Sequence, residues 1–304
     1  MQKILQKYLL LIAMTIGILF YKQLSIFTPI IPYFLSAMLF ITYCRVRWID
    51  IRLTKFHYIL LTIQYAGSAL IYLVIRPFNE IVAQAAMICV LISTATAAPV
   101  ITGILNGNIA SVTTYAIVSN LLVAFIAPVF LSIIGNTGEN VSFFASFWYI
   151  FRKVMPILLL PFVTALLLAK VLPKAHEKIK SAQIVSFYLW ALALTVVIAS
   201  LAKFVIEYSN GGYRFLIVIA IVSLLICFAQ FFFGRKLGTR FNQTVAGGQS
   251  LGQKNTVLAI WLTQTYLNPV ASLGPGLYVL WQNLVNFYQI WQKKRFEEKL
   301  MIND

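Results

Sequence analysis

The chain has 304 residues, of which 61% are hydrophobic and 11% charged, with 24 Lys and Arg against 8 Asp and Glu. Soluble domains carry about 25% charged residues, and a mean hydropathy of +0.86 leaves too little polar surface to cover a water-soluble globule. The cations are dispersed between apolar runs rather than gathered into the footprint that nucleic acid requires, and continuous runs such as 157–169, apolar except for Thr164, do not alternate as the strands of a membrane β-barrel do.

An all-α integral membrane protein is the class that remains. In chain order, apolar segments fall at 8–25, 27–44, 57–76, 80–106, 110–134, 146–170, 184–206, 213–234, 240–268 and 270–292, and most approach the ~20 residues that a membrane helix needs. This predicts ten transmembrane helices. Lys3 and Lys7 precede the first run without a clear small-residue cleavage site after it, so the run reads as a span and not a signal peptide. Cys44, Cys89 and Cys227 lie in apolar runs or at their ends with no metal-ligand spacing; they read as packing residues, with no disulfide, metal or cofactor expected.

The fourth and ninth segments differ from the rest. One is broken by Ser93-Thr94-Ala95-Thr96-Ala97-Ala98-Pro99 and the other by Gly247-Gly248-Gln249-Ser250-Leu251-Gly252-Gln253-Lys254-Asn255-Thr256, small, polar and helix-breaking residues where a lipid-facing helix favours Leu and Ile. They occupy the same position in two halves of five spans, 1–140 and 141–304. Interrupted segments at matched positions point to the binding site of a transporter built from inverted repeats, because unpaired backbone in a bilayer is tolerated only where it is buried in protein or lines a cavity. The bland alternative is two kinked helices whose freed groups are satisfied by neighbours.

With both termini in the cytoplasm, most cations fall inside, in clusters such as Arg45/Arg47/Arg52/Lys55, Lys170/Lys174/Lys178/Lys180, Arg235/Lys236/Arg240 and Lys293/Lys294/Arg295/Lys299, and a minority outside, among them Lys22, Arg152 and Lys203. That bias matches the positive-inside rule and predicts a bacterial inner membrane protein. Lys254 belongs to neither side. It sits in the second break, while every acid, from Asp50 and Glu80 to Glu298 and Asp304, lies at a span end, loop or tail. A charge at the centre of a membrane helix costs roughly 2.5–3.5 kcal/mol, so two roles are open: a neutral amine in a dry pocket that carries a proton, or an ammonium held by carbonyl ends and amides in place of a bound cation. The plain alternative is a lysine that snorkels to an interface.

Thr96, Asn255 and Thr256 would present side-chain donors beside half-helix amino termini, which favour anions, and Gln64, Gln282 and Asn283 are amides in apolar stretches; interhelical hydrogen bonding is the commoner use of each. Thr113, Thr114, Ser119 and Asn120 read as hydroxyls and an amide bonded to their own helix. His57 and His176 stand alone near span ends, where solvated rings are expected, and no acid pair or His-rich set suits an intramembrane enzyme. Asn140 opens an Asn-Val-Ser sequon.

On four stretches the chain resembles the bile acid:sodium symporter superfamily: Gln64-Tyr65-Ala66, Thr96 through Gly107-Asn108-Ile109-Ala110, Gly252-Gln253-Lys254-Asn255-Thr256 and Trp281-Gln282-Asn283, similar to a family Trp-His-Asn. The resemblance implies crossing broken helices 4 and 9, a core domain of helices 3–5 and 8–10, a panel domain of helices 1–2 and 6–7, and sodium-coupled import of organic anions. The related sodium/proton antiporters carry a transport Asp that is absent here. The family's sodium ligands look dismantled: Ala98-Pro99 stands for a Ser-Asn pair, Val112 and Ala116 for hydroxyls, Ser250 for a crossover Glu and Lys254 for a Gln. Loss of the anionic ligand is the largest change for a hard-cation site.

The sequence therefore predicts a sodium-independent secondary transporter of a small organic anion, with Thr96, Asn255, Thr256, Gln282 and Asn283 at the substrate and Lys254, Gln64, Ser250 and Gln253 at the former cation site. The substrate carboxylate is expected between two half-helix amino termini. A titrating Lys254 implies proton coupling; a permanently charged one implies a uniporter or exchanger. The alternatives are a sodium-coupled organic anion symporter and a non-transporting membrane receptor with the same cleft.

Overall fold

The computed structural model describes residues 12–46, 51–135, 142–208 and 213–303. Lys3, Lys7, Arg47, Asp50, Glu139, Asn140 of the sequon and Asp304 lie outside the described residues. The helices, in chain order, are α1 (12–19), α2 (Tyr21–Leu24), a 3-10 turn at Ser25–Ile30, α3 (Ile31–Arg45), α4 (Lys55–Ile75), α5 (Glu80–Leu91), α6 (Ala98–Ile104), α7 (Ile109–Ile134), α8 (Phe143–Val171), α9 (Pro173–Ser181), α10 (Gln183–Tyr208), α11 (Tyr213–Thr239), α12 (Thr244–Gly252), α13 (Thr256–Tyr266), a 3-10 turn at Pro269–Ser272 and α14 (Leu273–Asn303). Among the described residues there is no β-strand.

Six helical stretches are long and apolar enough to cross a membrane: Tyr21–Arg45, Lys55–Ile75, Ile109–Ile134, Phe143–Val171, Ile184–Glu207 and Leu216–Thr239. Their surfaces fit that reading of an integral membrane protein. On α11 Ile217, Ile221, Leu225, Phe228 and Phe232 form one exposed stripe at helical spacing, while Ile219, Cys227, Gln230 and Phe231 are buried. A water-soluble protein rarely exposes so continuous an apolar face. The segments predicted at 80–106 and 240–268 are each two short helices, and α14 is long but carries Gln282, Asn283, Asn286 and Gln289.

Local chemistry sets the helix ends. Asn79, Asn108, Ser142 and Asn255 cap α5, α7, α8 and α13 through their side-chain oxygens, supplying acceptors for N–H groups that no helix satisfies internally. α6 and α11 both end on an asparagine in the left-handed region, Asn106 and Asn242, after which Gly107 N–H reaches back to Thr102 and Gln243 N–H to Gly238, the Schellman arrangement.

Two expectations need correction. His57 is not solvated but 2% exposed: Thr54 N–H donates to its Nδ1 at 3.1 Å and its Nε2 lies 3.1 Å from the Ser111 carbonyl, tying the start of α4 to α7. The Gly247–Gly252 stretch does not break a helix either; it lies within α12, and the interruption is confined to Gln253–Asn255. Its glycines serve proximity. A Cβ on Gly247 would stand 2.1 Å from the Gly234 carbonyl and one on Gly252 would stand 2.4 Å from the Phe231 ring, so α12 runs against α11 almost backbone to backbone. The Lys174/Lys178/Lys180 cluster lies on the amphipathic helix α9, begun by Pro173 and carrying a Lys180–Glu177 salt bridge of 3.0 Å.

The packing has two groupings. α3 lies against α8 and α10, while α4, α5, α11, α12 and α14 surround the broken segments; α7 packs on α8, and α10 and α3 on α13.

Candidate functional site

The two broken segments meet at their interruptions. Thr94 and Lys254 pair as an isolated antiparallel bridge, with Ala95 N–H donating to the Gln253 carbonyl and Asn255 N–H to the Ser93 carbonyl, both at 2.9 Å. Helix α5 arrives at this crossing with its carbonyl end, and the last carbonyls of a helix have no partner within it. Side chains from α4, α11 and the second interruption supply donors to them. Gln230 Nε2 donates to the Cys89 carbonyl at 3.1 Å; Lys254 Nζ donates to Val90 at 2.9 Å and Ile92 at 3.1 Å; Gln64 Nε2 donates to Leu91 at 2.8 Å and Ile92 at 3.0 Å. On the α12 side, Thr94 Oγ1 donates to the Ser250 carbonyl at 2.6 Å and the Tyr278 hydroxyl to the Gly252 carbonyl at 2.9 Å.

Lys254 is 1% exposed and forms no salt bridge among the described residues. Its ammonium lies on the carbonyl end of α5, the negative end of that helix's dipole. The Gln282 amide oxygen accepts from Lys254 N–H at 2.8 Å and so fixes the backbone that carries the ammonium. Gln64 is held in turn by the Tyr115 hydroxyl. Gln253 accepts from the Asn286 amide, and Asn286 accepts from Gln249 at 2.8 Å. The Ser250 hydroxyl and the Gln249 amide oxygen are buried without a hydrogen-bond partner among the described residues.

The crossing thus gathers Lys254, Gln64, Gln253, Gln282 and the Ser250 backbone. The residues read as substrate contacts are placed differently. Asn255 caps α13, accepting from Leu258 N–H at 3.3 Å, and Thr256 is buried beside it. Thr96 is half-exposed between the interruption and α6. Asn283 turns to its own helix, donating to the Val279 carbonyl at 2.6 Å. The first backbone donors of α6 are engaged locally, Ala98 with Ala95 and both Val100 and Ile101 with Ala97, so in this conformation they do not present an open anion cradle.

Several partners of the named residues at the crossing, Tyr278 and Asn286 among them, escaped the sequence reading. Tyr278, Gln282 and Asn286 recur at intervals of four on α14, a polar stripe that puts all three on one face, whereas Asn283 falls about 100° away from Gln282; spacing would have selected Asn286 over Asn283. Ser119 and Asn120, set aside as bonded to their own helix, also reach the crossing: Thr94 N–H donates to Ser119 Oγ at 3.3 Å and the Ser93 hydroxyl to Asn120 Oδ1 at 2.8 Å. Tyr115 and Gln230 gave no signal beyond a polar group in an apolar run.

Beside α13 a cavity of about 400 Å³ opens between α10, the 3-10 turn at Ser25–Ile30 and the turn at Pro269–Ser272, lined among others by Lys203, Ser200, Trp261, Gln264 and Thr265. Ser200 Oγ donates to Gln264 Oε1 at 3.1 Å across its floor. Trp261 lies five residues after Thr256, about 7.5 Å along the axis of α13. The cavity offers one cation, neutral donors and an aromatic wall, a set suited to a small anion with an apolar part. No protein-family model matches the chain, and no curated protein is matched by its sequence.

Proposed function

We propose that the chain is a sodium-independent secondary transporter of a small organic anion, working by alternating access in a bacterial inner membrane with both termini in the cytoplasm. In this reading residues 1–140 and 141–304 are inverted five-span repeats. The core domain holds α4–α7 and α11–α14, and the panel holds α1–α3 and α8–α10. The packing of α3 against α8 and α10 supports that division, and α7 on α8 with α13 on α3 and α10 form contacts between the two parts.

The observation that carries the reading is Lys254: an ammonium 1% exposed, donating to the carbonyls of Val90 and Ile92 at the meeting point of two interrupted helices. Carbonyl oxygens around a buried point charge are the surroundings a hard cation takes, and broken helices with such ends are where transporters hold coupling ions. Lys254 either stays charged in place of the sodium ion, as in a uniporter or exchanger, or titrates and carries a proton; in both versions sodium is not needed. Lys203 and the donors of the cavity beside α13 attract the anion, and movement of the panel against the core exposes it to each side in turn.

Thermal unfolding of the purified protein in detergent, screened against pyruvate, lactate, succinate and 2-oxoglutarate, tests the binding step, since a ligand of the folded state raises the midpoint. At least one carboxylate is expected to stabilise the protein equally in sodium and potassium buffers. Stabilisation that appears only with sodium contradicts the reading.

A further inference from the structure

A second groove lies away from the crossing, where α11 and α14 pass from apolar to basic sequence. It encloses about 890 Å³ between the end of α6, Arg235 of α11, the start of α12 and the stretch from Tyr288 to Phe296 on α14. Three cations line it. Arg235 lays its aliphatic stem across Gly248, where an added Cβ would come within 2.6 Å of Arg235 Cγ, and its guanidinium has one long hydrogen bond, 3.4 Å to Gln289. The Arg295 guanidinium stands 5.3 Å from the Trp291 ring centroid. Neither arginine forms a salt bridge among the described residues. Lys293 donates to the Ile104 carbonyl at 2.6 Å and lies 3.5 Å from the Glu297 carboxylate.

The rest of the lining mixes Tyr288, Trp291 and Phe296 with the amides of Gln289 and Gln292. Tyr288, Trp291 and Phe296 are exposed along α14, and on α11 the exposed Phe232 and Phe228 continue below Arg235 on nearly the same face. Aromatic residues at the ends of apolar spans mark headgroup depth. Planar guanidinium forks match phosphate oxygens, and basic pockets between membrane helices take anionic lipid headgroups. A soluble anion would use the cations but leave the aromatic rim and the exposed phenylalanines of α11 beyond it unused.

We infer that this groove binds an anionic phospholipid, with the phosphodiester between Arg235 and Arg295 and an acyl chain along Phe232 and Phe228. Lys293 joins the site to α6, so an occupied groove braces the outer arm of the first broken segment against α14.

Native mass spectrometry of the full chain, given equal amounts of dioleoylphosphatidylglycerol and dioleoylphosphatidylcholine, tests the inference. Phosphatidylglycerol is expected to be retained preferentially, and Arg235→Gln and Arg295→Gln are each expected to weaken its retention by about fivefold, the weight of one cation near an anionic headgroup. Lys178→Gln on α9 should leave retention unchanged, and millimolar glycerol 3-phosphate should not displace the lipid. Equal retention of the two lipids, unaltered retention by Arg295→Gln, equal loss in Lys178→Gln, or displacement by glycerol 3-phosphate would each overturn it. Arg295 is exposed on the last turns of α14, so its replacement reports on the site and not on folding.

Discussion

Lys254 and Gln64 serve the same row of carbonyls, yet their removal has different consequences. Lys254→Met leaves the Val90 oxygen without the side-chain donor it has, at about 1–3 kcal/mol for a buried orphan, while Ile92 keeps its bond from Gln64. The same change abolishes the cost of holding a charge at membrane depth, roughly 2.5–3.5 kcal/mol, so the two effects nearly cancel. Lys254→Met is expected to unfold within about 1 kcal/mol of the parent in detergent, replacement of a buried charge by an apolar group being often neutral. Gln64→Leu has no such compensation. It orphans the Leu91 carbonyl and strips the Tyr115 hydroxyl of its short bond, and is expected to destabilise by about 1–3 kcal/mol. Thermal midpoints of the two variants side by side check the contrast; a Lys254→Met variant that unfolds as readily as Gln64→Leu would make the lysine a structural strut. Both residues were legible because a charge and an amide are conspicuous in apolar runs. Tyr115 and Tyr278 were not, since a tyrosine in a span reads equally as an interfacial aromatic, and only the carbonyls they meet, distant in sequence, reveal their use.

Among the elements, α12 diverges most from its sequence signature. Glycine in a helix interior costs about 1 kcal/mol relative to alanine, which is why Gly247, Gly248 and Gly252 suggest a break. Tertiary contact reverses that preference: burial against Gly234 and Phe231 requires the missing side chains. Gly247→Ala is therefore expected to destabilise by about 1–3 kcal/mol through overpacking. Gly67→Ala on α4, where the nearest atom is 3.9 Å from the added carbon, should be neutral or stabilising by up to about 1 kcal/mol. Thermal unfolding of both variants in one detergent measures the pair, and a stabilised Gly247→Ala would refute the close packing of α11 on α12. The positions of the long helices were readable from hydropathy because length and apolarity are local. The extent of the interruption at Gln253–Asn255 was not, because it depends on backbone groups finding partners at Ser93 and Ala95 in the first interruption and at Gln282 on α14.

Across the whole molecule the crossing and the cavity beside α13 lie on the same helix, with Asn255 and Thr256 at its start and Trp261 to Thr265 farther along. That continuity gives the proposed transporter a physical link between the crossing that holds Lys254 and an anion site: motion of α13 against α10 would alter both the Ser200–Gln264 contact and the access to Lys203. The excess of cations over acids, at first a topological signal, acquires two further uses in this account, Lys254 within the core and the arginines of the groove at the end of α11 and α14. Sequence indicated the former through its isolation and missed the latter, since Arg235 and Arg295 meet only in three dimensions. The most direct test is uptake of radiolabelled carboxylates into liposomes containing the purified chain, with potassium as the sole monovalent metal ion or with an inward sodium gradient. The account predicts equal uptake under both conditions and its loss in Lys254→Met, whereas uptake that requires the sodium gradient, or parental uptake by Lys254→Met, would contradict it.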